Sequence, residues 1–111
     1  MRKVITALAL IALAGCTTSG LEKDNPAYAG QSEKTPKQLA QCLGPKWQAY
    51  NSSTSSIETE TGYRVAASAD LTGVVALAVI DKTSTGSVVR VFLPIDWSAT
   101  NGWKDAAKDC I

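Results

Sequence analysis

Eight consecutive residues in the second half of the chain, Gly73-Val74-Val75-Ala76-Leu77-Ala78-Val79-Ile80, carry no polar side chain. Successive side chains of a strand point to opposite faces, so such a run needs cover on both sides and belongs in the middle of a sheet. Its neighbours read as strands. Upstream, Ile57 to Ser68 alternates, with Ile57, Thr59, Thr61, Tyr63, Val65 and Ala67 on one side and Glu58, Glu60, Arg64 and Ser68 on the other. Downstream, Asp81-Lys82-Thr83-Ser84-Thr85-Gly86 reads as a hairpin loop and Ser87 to Leu93 as a third strand, stopped by Pro94. The simplest topology is a three-stranded antiparallel meander.

Helical patterns flank it. Thr35-Pro36-Lys37-Gln38 offers a cap, a proline at the first helical position and a glutamine to complete a capping box. Leu39, Cys42, Leu43, Trp47 and Tyr50 then share an arc of about 140° at helical spacing. Gly44-Pro45 ought to bend this segment, but the arc continues beyond it, so one bent helix over 36–50 is expected, ending before Asn51-Ser52-Ser53-Thr54-Ser55-Ser56. After a turn from Asp96 to Gly102, the residues Trp103, Ala106, Ala107 and Cys110 fall on one face of a short closing helix.

Register follows from parity. With Ser68 near Gly73 and Asp81 near Gly86, one sheet face collects Tyr63, Val65, Ala67, Val74, Ala76, Ala78, Ile80, Val89, Val91 and Leu93. Leu39, Leu43, Trp47 and Trp103 would fill the layer above. The other face carries Val75, Leu77, Val79, Val88 and Phe92, with Arg64 and Arg90 among them.

The chain starts Met1-Arg2-Lys3, continues through an apolar run from Val4 to Ala14 broken only by Thr6, and reaches Leu13-Ala14-Gly15-Cys16. A basic start, a short apolar core and a small-residue site are the parts of a secretion signal. Those last four residues resemble the lipobox of bacterial lipoproteins. The resemblance implies that residues 1–15 are a signal peptide, that the bond before Cys16 is cut, and that Cys16 receives a diacylglyceryl group and an acyl chain such as palmitate on its new amine. Ordinary secretion and a retained anchor are the rivals, but a bilayer core needs about 20 apolar residues and this run is shorter. In Gram-negative lipoproteins an aspartate after the cysteine tends to retain the protein at the inner membrane. Threonine stands there as Thr17. The resemblance therefore implies an outer-membrane lipid anchor with the domain in the periplasm, or alternatively at the cell surface.

Removing residues 1–15 from the 111 leaves 96, enough for one small domain. Arg2 and Lys3 leave with the signal, so nine Lys and Arg stand against ten Asp and Glu. That balance, without a basic cluster, argues against a polyanion partner such as nucleic acid or lipopolysaccharide, and no nucleic-acid partner is expected. Residues 16–34 are polar without apolar periodicity and read as the lipidated end plus a flexible tether reaching about 25 Å. Residues 35–111 are the domain.

With Cys16 taken by lipid, Cys42 and Cys110 remain, and in an oxidising compartment a disulfide is expected between them. A metal pair or a reactive thiol are the alternatives, and neither has a companion histidine or further cysteine. Both cysteines lie on apolar helix faces, so a bridge would put both helices on one side of the sheet. The fold expected is α+β, an αβββα layer with one disulfide. The second face is then left uncovered, and Val75, Leu77, Val79, Val88, Arg90 and Phe92 become a candidate interaction face for a homodimer or an envelope protein. A tether or Trp97 loop folded across it, or a shifted register, is the bland reading.

The chain has no histidine, which excludes Ser-His and Cys-His nucleophile pairs. Glu58 and Glu60 are the only closely spaced carboxylate pair on a strand pattern, and they share a solvated face. No phosphate-binding glycine motif, calcium loop or repeat occurs. No enzyme, cofactor or metal is expected. Trp97 and Trp103 flank a polar turn; Trp103 belongs to the core by its spacing, which leaves Trp97 as a candidate glycan contact, for example to peptidoglycan. The sequence thus predicts an anchored, non-catalytic structural or protein-interaction domain. Its competitor is a periplasmic binding or inhibitor module for a protein, glycan or small ligand, with a concave site near Trp97, Arg64 or Arg90.

Overall fold

The structure, a computed structural model, describes residues 25–69, 73–96 and 98–111. The segment 1–15 read as a signal, Cys16, the expected tether up to residue 24, residues 70–72 and Trp97 lie outside the described residues. Helix α1 (Pro36–Tyr50) opens on a capping box: Thr35 Oγ1 accepts the Gln38 N–H at 3.2 Å, and Gln38 Oε1 accepts the Thr35 N–H at 2.9 Å. Pro45 lies inside this helix. A proline pushes the residue before it out of the helical region by a clash with that residue's Cβ. Gly44 has no Cβ, and the helix runs through to Tyr50 as expected.

The three-stranded meander is replaced by a five-stranded sheet. Its strands are β1 (Tyr28–Ser32), β2 (Thr54–Glu58), β3 (Gly62–Ala69), β4 (Gly73–Lys82) and β5 (Ser87–Phe92), in the order β1-β5-β4-β3-β2 with every pair antiparallel. The alternating stretch 57–68 is not one strand. Thr59-Glu60-Thr61 is a turn, closed by the Thr59 N–H to the Gly62 carbonyl at 2.8 Å and by the Gly62 N–H to Thr59 Oγ1 at 3.1 Å. The strand-favouring Thr59 and Thr61 within the turn carried the alternation across it. The serine-rich run before it supplies β2, an edge strand in which only Thr54 is buried, so an apolar pattern is not required there. β1, in the stretch read as tether, joins the other edge by pairing Tyr28 with Val91 and Ser32 with Ser87.

Helix α1 and the closing helix α2 (Asn101–Cys110), which follows a 3₁₀ turn at Ser98–Thr100, cover one face of the sheet. Between them and the strands lies the core: Leu39, Leu43 and Trp47 of α1, Ala106, Ala107 and Cys110 of α2, and Val65, Ala67, Ala76, Ala78, Ile80, Val89 and Val91 below. The small alanines let the helices approach closely. β4 and β5 pair Asp81 with Val88, two residues beyond the expected Gly86. Because the side-chain period is two, this slip leaves the faces unchanged. One exchange does occur. Ala67 pairs with Ala76 but Ser68 with Val74, so Val75 is the extra residue of a bulge. Val75 consequently packs on the helix side and Val74 on the other, the reverse of the parity reading.

Cys42 and Cys110 form a disulfide between the helices, with Cα atoms 5.8 Å apart. Above it Trp47, fully buried, donates its indole N–H to the Trp103 carbonyl at 3.2 Å and meets the Trp103 ring edge to face at 5.1 Å. The segment after β1 is tied down from two sides: Ser87 Oγ donates to the Lys34 carbonyl at 2.8 Å, and Lys34 Nζ donates to the Cys110 carbonyl at 2.7 Å, at the negative end of α2.

Candidate functional site

The sheet face expected to be open is closed at its centre. Leu77, Val79 and Phe92 are 0, 3 and 1 % exposed, with Ala66 and Val74 packed against them. The pairing of β1 makes β5 an interior strand, and Leu77 sits directly opposite Phe92. Val75 belongs to the helix side, while Val88 and Arg90 are half-buried. Arg90 does not offer an open charge: its Nη2 lies 3.1 Å from Asp81 Oδ2, and its guanidinium sits 5.8 Å from the Phe92 ring centre. Asp81 also accepts the Thr61 hydroxyl at 2.6 Å. Arg64, half-buried on the same face, sits across from Val79.

Strand direction sorts the loops into two ends. The chain enters β1 beside Val91, where the Ala27 N–H donates to the Val91 carbonyl at 2.7 Å. At this entry end lie the last turn of α1, the 93–96 segment and the first turn of α2, the last two joined by Asp96 and Lys104 at 2.8 Å. The far end gathers the start of α1, the 59–61 turn and the 83–86 loop.

A groove of about 850 Å³ opens at this far end, on the helix side, between α1 and the two hairpins. Glu33, Lys37, Glu58, Glu60, Tyr63 and Lys82 line it together with threonine and serine residues of the loops. Two glycines let its walls close up. A Cβ on Gly62 would strike the Ile80 carbonyl, and one on Gly86 would strike the Ser32 carbonyl and the Glu33 backbone. Glu58 and Glu60, expected side by side on one strand face, instead end β2 and occupy the turn. Three carboxylates facing two ammonium groups and a row of hydroxyls can hold a polar, charge-mixed segment by hydrogen bonds and ion pairs. They contain no histidine or thiol nucleophile.

No family model, curated protein or solved structure matches the chain.

The site must therefore be read from its own chemistry. Among the described residues, no group of three or more His, Cys, Asp or Glu could hold a metal ion, and no helix is long and apolar enough to cross a membrane. Trp97, the candidate glycan contact, and Cys16, the candidate lipid attachment, lie outside the described residues. Trp103 packs in the core cluster as its spacing predicted. Sequence reasoning missed the groove altogether. Its walls come from three loops distant in sequence, and Gly62 and Gly86 were its only local marks.

Proposed function

We propose that the chain is an envelope lipoprotein, cut behind Gly15, acylated at Cys16 and held at the outer membrane, whose α+β domain serves a non-catalytic interaction or structural role in the periplasm. The observation that carries this is Leu13-Ala14-Gly15-Cys16 behind a basic start and a short apolar run. The disulfide between Cys42 and Cys110 is consistent with an oxidising compartment. Several acyl chains on one cysteine make attachment effectively permanent, since a single chain already binds reversibly. Mass spectrometry of the membrane-extracted protein should find acyl mass at Cys16, and Cys16→Ser should release the domain into the soluble fraction. An unmodified Cys16, or a Cys16→Ser protein that stays in the membrane, overturns the anchor.

The groove favours the binding-module reading over the dimer through the sheet face, because Leu77 and Phe92 are already buried within one chain. A partner would be a polar protein segment or glycan rather than an apolar one. A photo-crosslinker placed at Glu60 should capture a partner in intact envelopes, and the same label at Ser55, on β2, should not. Equal capture from both positions, or none from Glu60, rejects the groove.

A further inference from the structure

We infer that the domain does not hang free on its tether but sits on the lipid surface with its entry end down, Ile95 and Tyr50 in the headgroup region, and presents the groove outward. The inference rests on the lipid-anchor reading. The Ala27 to Val91 hydrogen bond and β1 consume the second half of the expected tether, which leaves the ten residues 17–26 between Cys16 and the sheet. A flexible chain of that length spans about 18 Å end to end. The eight residues of β3 alone reach about 26 Å from one end of the sheet to the other. That average span is shorter than the strand, so the entry end, where the tether joins, lies on average nearer the membrane than the groove.

That end carries the apolar groups such a contact needs. Among the described residues, three large hydrophobic side chains are mostly exposed: Ile95 at 67 %, Tyr50 at 64 % and Ile57 at 62 %. Ile95 and Tyr50 are both at the entry end, flanking the first turn of α2. Tyr50 rests on the Trp103 ring at 5.4 Å, and Ile95 precedes Asp96, which holds Lys104. A tyrosine ring has the apolar body and polar tip that suit a membrane interface. Asp96 and Lys104 pair with each other, and Lys46, Asp105 and Asp109 line the depression that Tyr50 shares with α2, so the charges there sum to −1 and the contact gains nothing from anionic lipid. Two side chains would not hold a free protein on a bilayer. On a tether this short the local lipid concentration is high enough for a weak contact to persist. Ile57, equally exposed but on the β2 edge, is the internal control.

The test uses the full acylated chain in phosphatidylcholine vesicles, with a nitroxide on Ile95→Cys, Tyr50→Cys or Ile57→Cys and the acyl mass on Cys16 read from the same sample. Labels at 95 and 50 should be shielded several-fold from an aqueous nickel chelate relative to the label at 57, and no better shielded when phosphatidylglycerol is added. Adding Ile95→Asp should return the label at 50 to water. On an acylated chain, equal nickel access at all three positions overturns the seat and leaves the anchor standing. Labels in water on a chain whose Cys16 carries no lipid overturn the anchor, and the seat with it.

Discussion

Replacing both Cys42 and Cys110 with alanine should remove a large part of the domain's stability, and through the unfolded chain rather than through lost contacts. The two residues are 68 apart in sequence. Loop-closure entropy for a ring of that size amounts to about 4 kcal/mol. Small domains have roughly 5–15 kcal/mol in total, and this one, with a sheet covered by only two helices, belongs at the low end. Direct packing loss is minor by comparison: Cys110 is buried and Cys42 half-buried, and alanine keeps the Cβ of each. At this size each kcal/mol is worth about 4–8 °C, so Tm should fall by about 15–30 °C. Urea melts of the two proteins separate the mechanisms. If the crosslink acts on the unfolded state, the open chain exposes more surface and its m-value rises while the midpoint falls. A stability loss below about 1 kcal/mol would refute the entropic account. So would a large loss at unchanged m.

Three further substitutions probe the packing. Trp47→Phe keeps a ring in the core but deletes the hydrogen bond to the Trp103 carbonyl, and should cost about 1–2 kcal/mol by urea denaturation. Gly62→Ala drives a methyl into the Ile80 carbonyl and should cost about 1–3 kcal/mol, with amide exchange quickening first at the 59–61 turn. Leu77→Asp places a carboxylate at a fully buried position, so the expected outcome is an unfolded chain by circular dichroism rather than a folded protein of altered mass. A folded monomer from that variant would show that the second sheet face is open after all.

Helix α1 was legible to the residue because each end carries local chemistry: Thr35 and Gln38 at the start, and the polar Asn51 at the stop, whose N–H closes onto the Trp47 carbonyl. The core faces of β3, β4 and β5 were legible too, since burial on one side leaves a period-two imprint that survives a slip by two residues. The edge strands left no such imprint. β2 buries only Thr54, and β1 holds its place through backbone pairing with β5 and through Lys34, a contact between residues far apart in sequence. Missing β1 had a further effect: it made β5 look like an edge strand. The groove could not be read for a similar reason, as its polar lining resembles any set of surface loops until the topology brings them to one end.

The bulge at Val75 also bears on how this domain can change length. A strand with two committed faces ordinarily cannot gain or lose one residue, because every side chain beyond the change would swap between core and solvent. Here Ala76 to Lys82 are held in phase by β3 and β5 on either side, and the unmatched residue is already confined to one position between Val74 and Ala76. Deleting Val75 would flatten the ladder there and leave the rest of β4 facing as before. The start of β4 is thus a point in the sheet where one residue can be lost at the cost of Val75's own packing while every side chain from Ala76 onward keeps its face.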